Sequence, residues 1–111
     1  MHDNRLNVGI IGAGRIGKVH AETLAFRVPE ARTLSIADLN REAAERIASR
    51  CVISKVAGSA DEILADPAIQ AVLICSSTDT HADLIVRAAK AGKHIFCEKP
   101  IAHSLAKIDA A

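Results

Sequence analysis

Gly12-Ala13-Gly14-Arg15-Ile16-Gly17 decides the fold through the company it keeps. As a bare G-x-G-x-x-G string it says little, because glycines cluster in many turns. Here, however, it closes the apolar run at 5–11 (RLNVGII) and opens a stretch, 15–27, with helical spacing of Ile16, Val19, Thr23 and Leu24. A strand, a tight glycine turn and a helix in that order form a phosphate cradle. Gly12 permits the turn, Gly14 lets a pyrophosphate approach the backbone, and Gly17 lets the helix lie close on the strand. The free N–H groups at the helix start then face the phosphates. Such a unit requires an acidic residue about 20 residues further on, at the end of the next strand. Asp38 stands 21 residues beyond Gly17, directly after the alternating segment 32–37.

Outward from this unit, short apolar runs alternate with amphipathic stretches. Leu34 and Ile36 alternate with polar neighbours, as in a strand. Asn40 is an N-cap candidate for a helix through Ser49 with Ala43, Ala44, Ile47 and Ala48 inward. Residues 52–56 read as a short third strand. Ser59-Ala60-Asp61-Glu62 has capping-box form, and the helix it opens must end before Pro67. The run 69–75 (IQAVLIC) is apolar enough for a strand buried on both faces. Residues 80–91 read as a helix with Leu84, Ile85, Ala88 and Ala89 inward and Gly92 as its C-terminal cap. A fifth strand follows at 94–97, and Ser104 is placed to cap a further helix bearing Leu105 and Ile108. Strand–helix alternation with short loops predicts right-handed crossovers and a doubly wound α/β domain of about five parallel strands. The whole span, 1–111, reads as one domain.

Composition narrows the function classes. The 111 residues are 50% hydrophobic and 24% charged, which excludes a disordered chain. Lys plus Arg is 14 against 13 Asp plus Glu, so net charge offers no footprint for nucleic acid or an anionic membrane. With two Phe and no Trp or Tyr there is no aromatic platform for single-stranded bases. No apolar run approaches the roughly 18 residues needed to cross a bilayer, and the first residues do not read as a secretory signal. Cys51, Cys75 and Cys97 are odd in number, widely spaced and without a C-x-x-C pair, pointing to a reducing, cytoplasmic setting. Cys75 and Cys97, inside apolar runs, are expected to be small buried hydrophobes. No metal is expected, since His94 and Cys97 lack further ligands.

The Asp38 carboxylate suits the ribose hydroxyls and opposes a 2′-phosphate, favouring NAD over NADP. Arg41 is a counter-signal, although a surface helix residue is its plainer reading. Two more segments fall at the C-terminal ends of strands, where ligands of such sheets bind. One is Ser76-Ser77-Thr78-Asp79-Thr80-His81, which could equally be a polar loop before a helix. The other is Glu98-Lys99-Pro100, whose Lys99 sits on restricted backbone but could equally be an ordinary surface lysine.

Taken together, G-A-G-R-I-G, S-S-T-D-T-H and A-G-K-H-I-F-C-E-K-P resemble the N-terminal half of the Gfo/Idh/MocA oxidoreductases, and within them the inositol 2-dehydrogenase branch. The resemblance implies a Rossmann fold holding NAD. Its cofactor contacts would be Gly12, Gly14, Arg15, Ile16, Gly17 and Asp38, with Ser76, Thr78 and His81 beside them and Glu98, Lys99 and Pro100 at the reacting end. It implies that Lys99 touches substrate and helps organise proton transfer from a polyol or sugar alcohol. It also implies a sixth strand and a substrate domain carrying the catalytic Asp and His. The expectation is therefore a fragment that binds NAD, lacks turnover alone and self-associates through its last strand or final helix. An alternative Rossmann use, with FAD or S-adenosylmethionine, is disfavoured by the E-K-P segment.

Overall fold

The computed structural model describes residues 5–76 and 78–97, with the backbone alone at positions 78–81 and 97. Five strands form one parallel sheet in the order β3-β2-β1-β4-β5: β1 (Leu6–Ile11), β2 (Ala31–Ala37), β3 (Lys55–Val56), β4 (Ala71–Ile74) and β5 (His94–Cys97). Between them run α1 (Arg15–Arg27), α2 (Arg41–Cys51), α3 (Ala60–Ala65) and α4 (Thr78–Lys90). Because β1 pairs with both β2 and β4, the chain departs in opposite directions from the sheet centre. The doubly wound arrangement follows. Ile10 and Ile36 meet Ala21 of α1 and Ala44, Ile47 and Ala48 of α2 on one face. Ile11, Val72 and Ile74 meet Ile63 and Leu64 of α3 and Leu84, Ile85 and Ala88 of α4 on the other.

Local chemistry sets the element ends. Asn40 caps α2 as expected, its side chain accepting the Ala43 N–H at 3.2 Å. Gly92 takes φ 76° after α4, where a Cβ would be strained. Ser59 stands at the N-cap of α3 without a side-chain bond; instead Glu62 accepts the Gly58 N–H at 3.0 Å, so the expected box closes one residue early. The segment expected as a strand over 52–56 is shorter. α2 continues to Cys51 and Val52 caps it in the left-handed region (φ 56°), leaving Lys55–Val56 to pair with Ser35 and Ile36.

Three packing expectations are corrected. α1 does not bury Ile16, Val19 and Thr23; its buried residues are Gly17 and Ala21, with Leu24 half-buried against the same core as expected, and Ile16 and Val19 stay about half exposed. Small residues let the helix lie close, so its larger side chains splay outward. Ala89 of α4 is likewise exposed. Leu34 and Ile36 do not share a face. The register slips between Val8 and Gly9, with Val8 opposite Thr33 and Gly9 opposite Ser35, so Leu34 packs with the α3/α4 core and Ile36 with the α1/α2 core. Among the cysteines, Cys51 is buried and Cys75 half-buried, neither in a disulfide, and the Cys97 side chain lies outside the described residues. The helix expected after Ser104 also lies outside them.

Candidate functional site

Parallel strands deliver their C-terminal ends to one edge, and the sheet order makes β1 and β4 the pair where the chain direction reverses. At that switch point opens a cleft of about 440 Å³. Its floor is the end of β1 and β2: Ile11, Gly12, Ala37 and Asp38. Leu39, the β3–α3 loop at Gly58-Ser59-Ala60, Ser76 after β4, and Asp83, Leu84 and Arg87 of α4 wall it in.

The glycine turn is fixed by its surroundings. Gly12 has φ 109° and donates its N–H to Ala37 O at 2.8 Å; a Cβ there would lie 2.5 Å from the Cys75 carbonyl carbon. A Cβ on Gly17 would lie 2.0 Å from Gly12 O, so the first turn of α1 is pressed onto the turn that precedes it. Gly14 differs: a Cβ there would meet nothing within 4 Å, and the residue faces open space. As N-cap of α1, Gly14 offers no side-chain acceptor, and the first turn carries no acidic residue. The N–H groups of that turn are thus left to an outside anion, which is what a pyrophosphate supplies.

Asp38 leaves the end of β2 where the glycine spacing put it. Its Oδ2 accepts the Ala13 N–H at 2.6 Å and its Oδ1 the Asn40 N–H at 2.7 Å. The carboxylate is half-buried and held at the cleft, with remaining lone pairs for ribose hydroxyls. Arg41 is exposed and pairs with Glu45 at 3.7 Å, as a surface helix residue does.

Gly12, Asp38 and Ser76 therefore come together at the switch-point cleft, while Gly14 and Gly17 shape the turn beside it. Arg15 and Ile16 do not line this cleft; both are exposed on the first turn of α1, and Arg15 borders a different cleft between α1 and α2. Thr78 and His81 lie on α4, but their side chains are outside the described residues, as are Glu98, Lys99 and Pro100 entirely. Leu39, Gly58, Ser59, Asp83 and Arg87 were missed by the sequence reading. Gly58-Ser59 follows β3 and could have been found by applying the strand-end rule to that strand too. Arg87 reaches the cleft from the third turn of α4, bridging Asp83 and Asp61, and no local motif marks it. Among the described residues no group of three His, Cys, Asp or Glu is placed to hold a metal ion. None of the described helices is long and apolar enough to cross a membrane.

Comparison with known proteins matches residues 6–111 to the GFO/IDH/MocA family, described as "Oxidoreductase family, NAD-binding Rossmann fold". The chain belongs to that family. It is 52% identical over 95 residues to the inositol 2-dehydrogenase of Rhizobium meliloti, covering 84% of this chain and 27% of that protein. It is 39% identical over 104 residues to the myo-inositol 2-dehydrogenase of Thermotoga maritima, covering 94% of this chain and 31% of that protein. Among solved structures, scyllo-inositol dehydrogenase of Lactobacillus casei with bound NAD(H) and scyllo-inositol superposes with a TM-score of 0.88 at 30% identity, over 95% of this chain and 31% of that one. This member of the family thus spans about a third of the length of the curated relatives it matches, and what it matches is their NAD-binding Rossmann part.

Proposed function

We propose that residues 1–111 act as the dinucleotide-holding domain of a dehydrogenase that moves hydride from a secondary alcohol of an inositol-like polyol to NAD. The observation that carries this is the pairing of an uncapped, acid-free α1 start at Gly14 with Asp38 fixed across the turn by the Ala13 N–H. On this reading Gly12, Gly14 and Gly17 shape the seat of the pyrophosphate. Asp38 accepts from the adenosine ribose, Ser76 borders the same cleft, and Thr78 and His81 extend it along α4. NAD, when bound, supplies the hydride acceptor. Glu98, Lys99 and Pro100 follow β5 and would stand at the reacting end, with Lys99 bonding the substrate hydroxyl. In a longer enzyme of this type, Lys99→Ala lowers turnover far more than NAD affinity; lost affinity with intact turnover speaks against that role. The inositol-like substrate is supported by the names of the relatives. Cys51 and Cys75, neither of them in a disulfide, fit a reducing, cytoplasmic setting.

For the 111-residue chain by itself, binding without turnover is the favoured form of this proposal, because relatives that carry out the reaction are about three times as long. The chain contains no Trp or Tyr, so NADH fluorescence reports binding against a dark protein background. Saturable NADH binding with no NADH production from myo-inositol is the expected result. Absence of binding rejects the cofactor assignment, and mutation-sensitive turnover rejects the binding-only form. A second copy is the proposed partner of the chain. α1 exposes Ile16 and Val19 beside His20, whose ring meets Phe96 of β5 edge-on at 5.6 Å, and Phe96 is itself 54% exposed. Sedimentation showing a clean monomer at micromolar concentration would reject it.

A further inference from the structure

The switch-point cleft has a firm floor and one lightly held wall. The floor is the end of β1 and β2, which pair along their whole length and are packed under helices on both faces. The wall at 58–60 joins two short pieces. Before it, β3 pairs with β2 through Lys55 and Val56 alone; after it, α3 is six residues long. Ile63 and Leu64 anchor the end of α3 in the core, but in its first turn Ala60 is half-buried and Asp61 and Glu62 are exposed. Ser59 gives that helix start no side-chain bond, and Glu62 takes the Gly58 N–H from within the same turn. What reaches across is Arg87 of α4. Its Nη2 pairs with Asp61 Oδ1, and its Nη1 with Asp83 Oδ2 at 3.3 Å. The two arms of one planar fork are thus divided between helices. The arm on Asp83 steadies the guanidinium on α4, and the other arm holds the first turn of α3.

We propose that Arg87 is a positioning residue, whose bridge to Asp61 sets the width of the cleft between the 58–60 loop and α4. Both walls line the same space, so a ligand that fills it needs them at one fixed separation. If the first turn of α3 swings away, contacts on the 58–60 side lengthen, while the glycine turn and Asp38 stay in place on the floor. The pair is partly exposed, 37% at Arg87 and 73% at Asp61, so it adds little to the stability of the whole domain. Its effect is local, on a short helix with few buried side chains and a low cost of opening. That the ligand is a dinucleotide rests on the reading above; the bridge does not.

The test is a double-mutant cycle on the whole chain, with wild type, Asp61→Asn, Arg87→Gln and the double variant each titrated with NADH by fluorescence. Asp61 does not line the cleft, so its substitution reaches the ligand only through the bridge or through the start of α3. The cycle separates the two. Asp61→Asn is expected to weaken NADH about three- to fivefold when Arg87 is present and less than about 1.5-fold when it is Gln, the size of effect of a partly exposed pair. Asp61→Glu, which keeps the charge, is expected to restore most of the affinity, and the thermal melt of Asp61→Asn to stay near wild type. A loss that persists beside Arg87→Gln belongs to the helix start and overturns the proposal. An early melt with unchanged affinity shows a merely structural tie and overturns it too. A second readout needs no cofactor: hydrogen exchange over residues 55–65, followed by mass, should quicken in either single variant and no further in the double. Unchanged exchange overturns the bridge. If the wild type takes up no NADH, the dinucleotide reading fails, and exchange alone then decides for or against the bridge.

Discussion

Ala13 donates its backbone N–H to Asp38 Oδ2 at 2.6 Å, so the residue between the first two glycines of the turn is tied to the acid that ends the neighbouring strand. The two halves of the candidate cofactor site are thereby one object. A change at Asp38 alters the turn, and a change in the turn reorients Asp38.

Asp38→Ser is expected to weaken NAD by about tenfold or more, since hydrogen bonds to a charged group contribute about 1.5–3 kcal/mol. Removing the carboxylate also lifts the repulsion of a 2′-phosphate, so the NAD/NADP affinity ratio falls. Calorimetric titration of both cofactors checks this, and an unchanged ratio sinks the assignment.

The glycines separate by role. Gly17→Ala drives a Cβ into Gly12 O and should cost at least the ~1–3 kcal/mol typical of overpacking. That is a drop in Tm of several degrees per kcal/mol for a domain of this size. Gly14→Ala meets no protein atom and should leave the melt near wild type while weakening NAD. Equal melts for the two variants, or NAD binding untouched by Gly14→Ala, would contradict the division.

Lys93 has a structural duty that its position in the A-G-K-H segment does not announce. Its Nζ donates to Asp66 O at 2.8 Å and Ile69 O at 2.7 Å, pinning the loop between α3 and β4 to the start of β5. Lys93→Met should destabilise the fold by about 1.5–3 kcal/mol, measured by urea unfolding, because two carbonyls lose a charged donor. A midpoint within error of wild type would show that water replaces the ammonium freely.

Burial, with Glu22 adding to it, pushes the Cys51 thiol above its ordinary range. The native thiol therefore holds its proton to higher pH than the unfolded one. The contribution of this group to stability is complete below the ordinary thiol range and fades as pH rises through the native value. Iodoacetamide at pH 8 should label Cys51 more slowly in the native chain than in urea, read by peptide mass mapping. Equal rates would refute the shift.

How far the sequence could be read depended on whether a signal was local. The glycine turn, Asp38, the Asn40 cap and the parallel strand–helix alternation are written in a few adjacent residues, and all stand where expected. Burial on α1 was misread because periodicity ranks side chains by apolarity, whereas the close approach there selects the smallest, Gly17 and Ala21. The wall formed by Arg87 depends on how distant helices meet. No spacing in one segment encodes that.

The slip in register at Val8 and Gly9 has a consequence for insertions and deletions. Between Thr33 and Ser35 the second strand contains a residue that has no opposite number on the first, and it reverses which face each later side chain takes. Delete that unpaired residue and Ile36 and Ala37 keep their partners Ile10 and Ile11, whereas a deletion just after Ser35 makes the two exchange faces and brings the acid a step short of the glycine turn. The same deletion in the turn at 28–30 leaves the pairing downstream intact. The distance from glycine to acid is thus not an interchangeable length of chain. Part of it sets phase, and a relative of equal spacing but without the slip would aim its acid at the opposite side of the sheet.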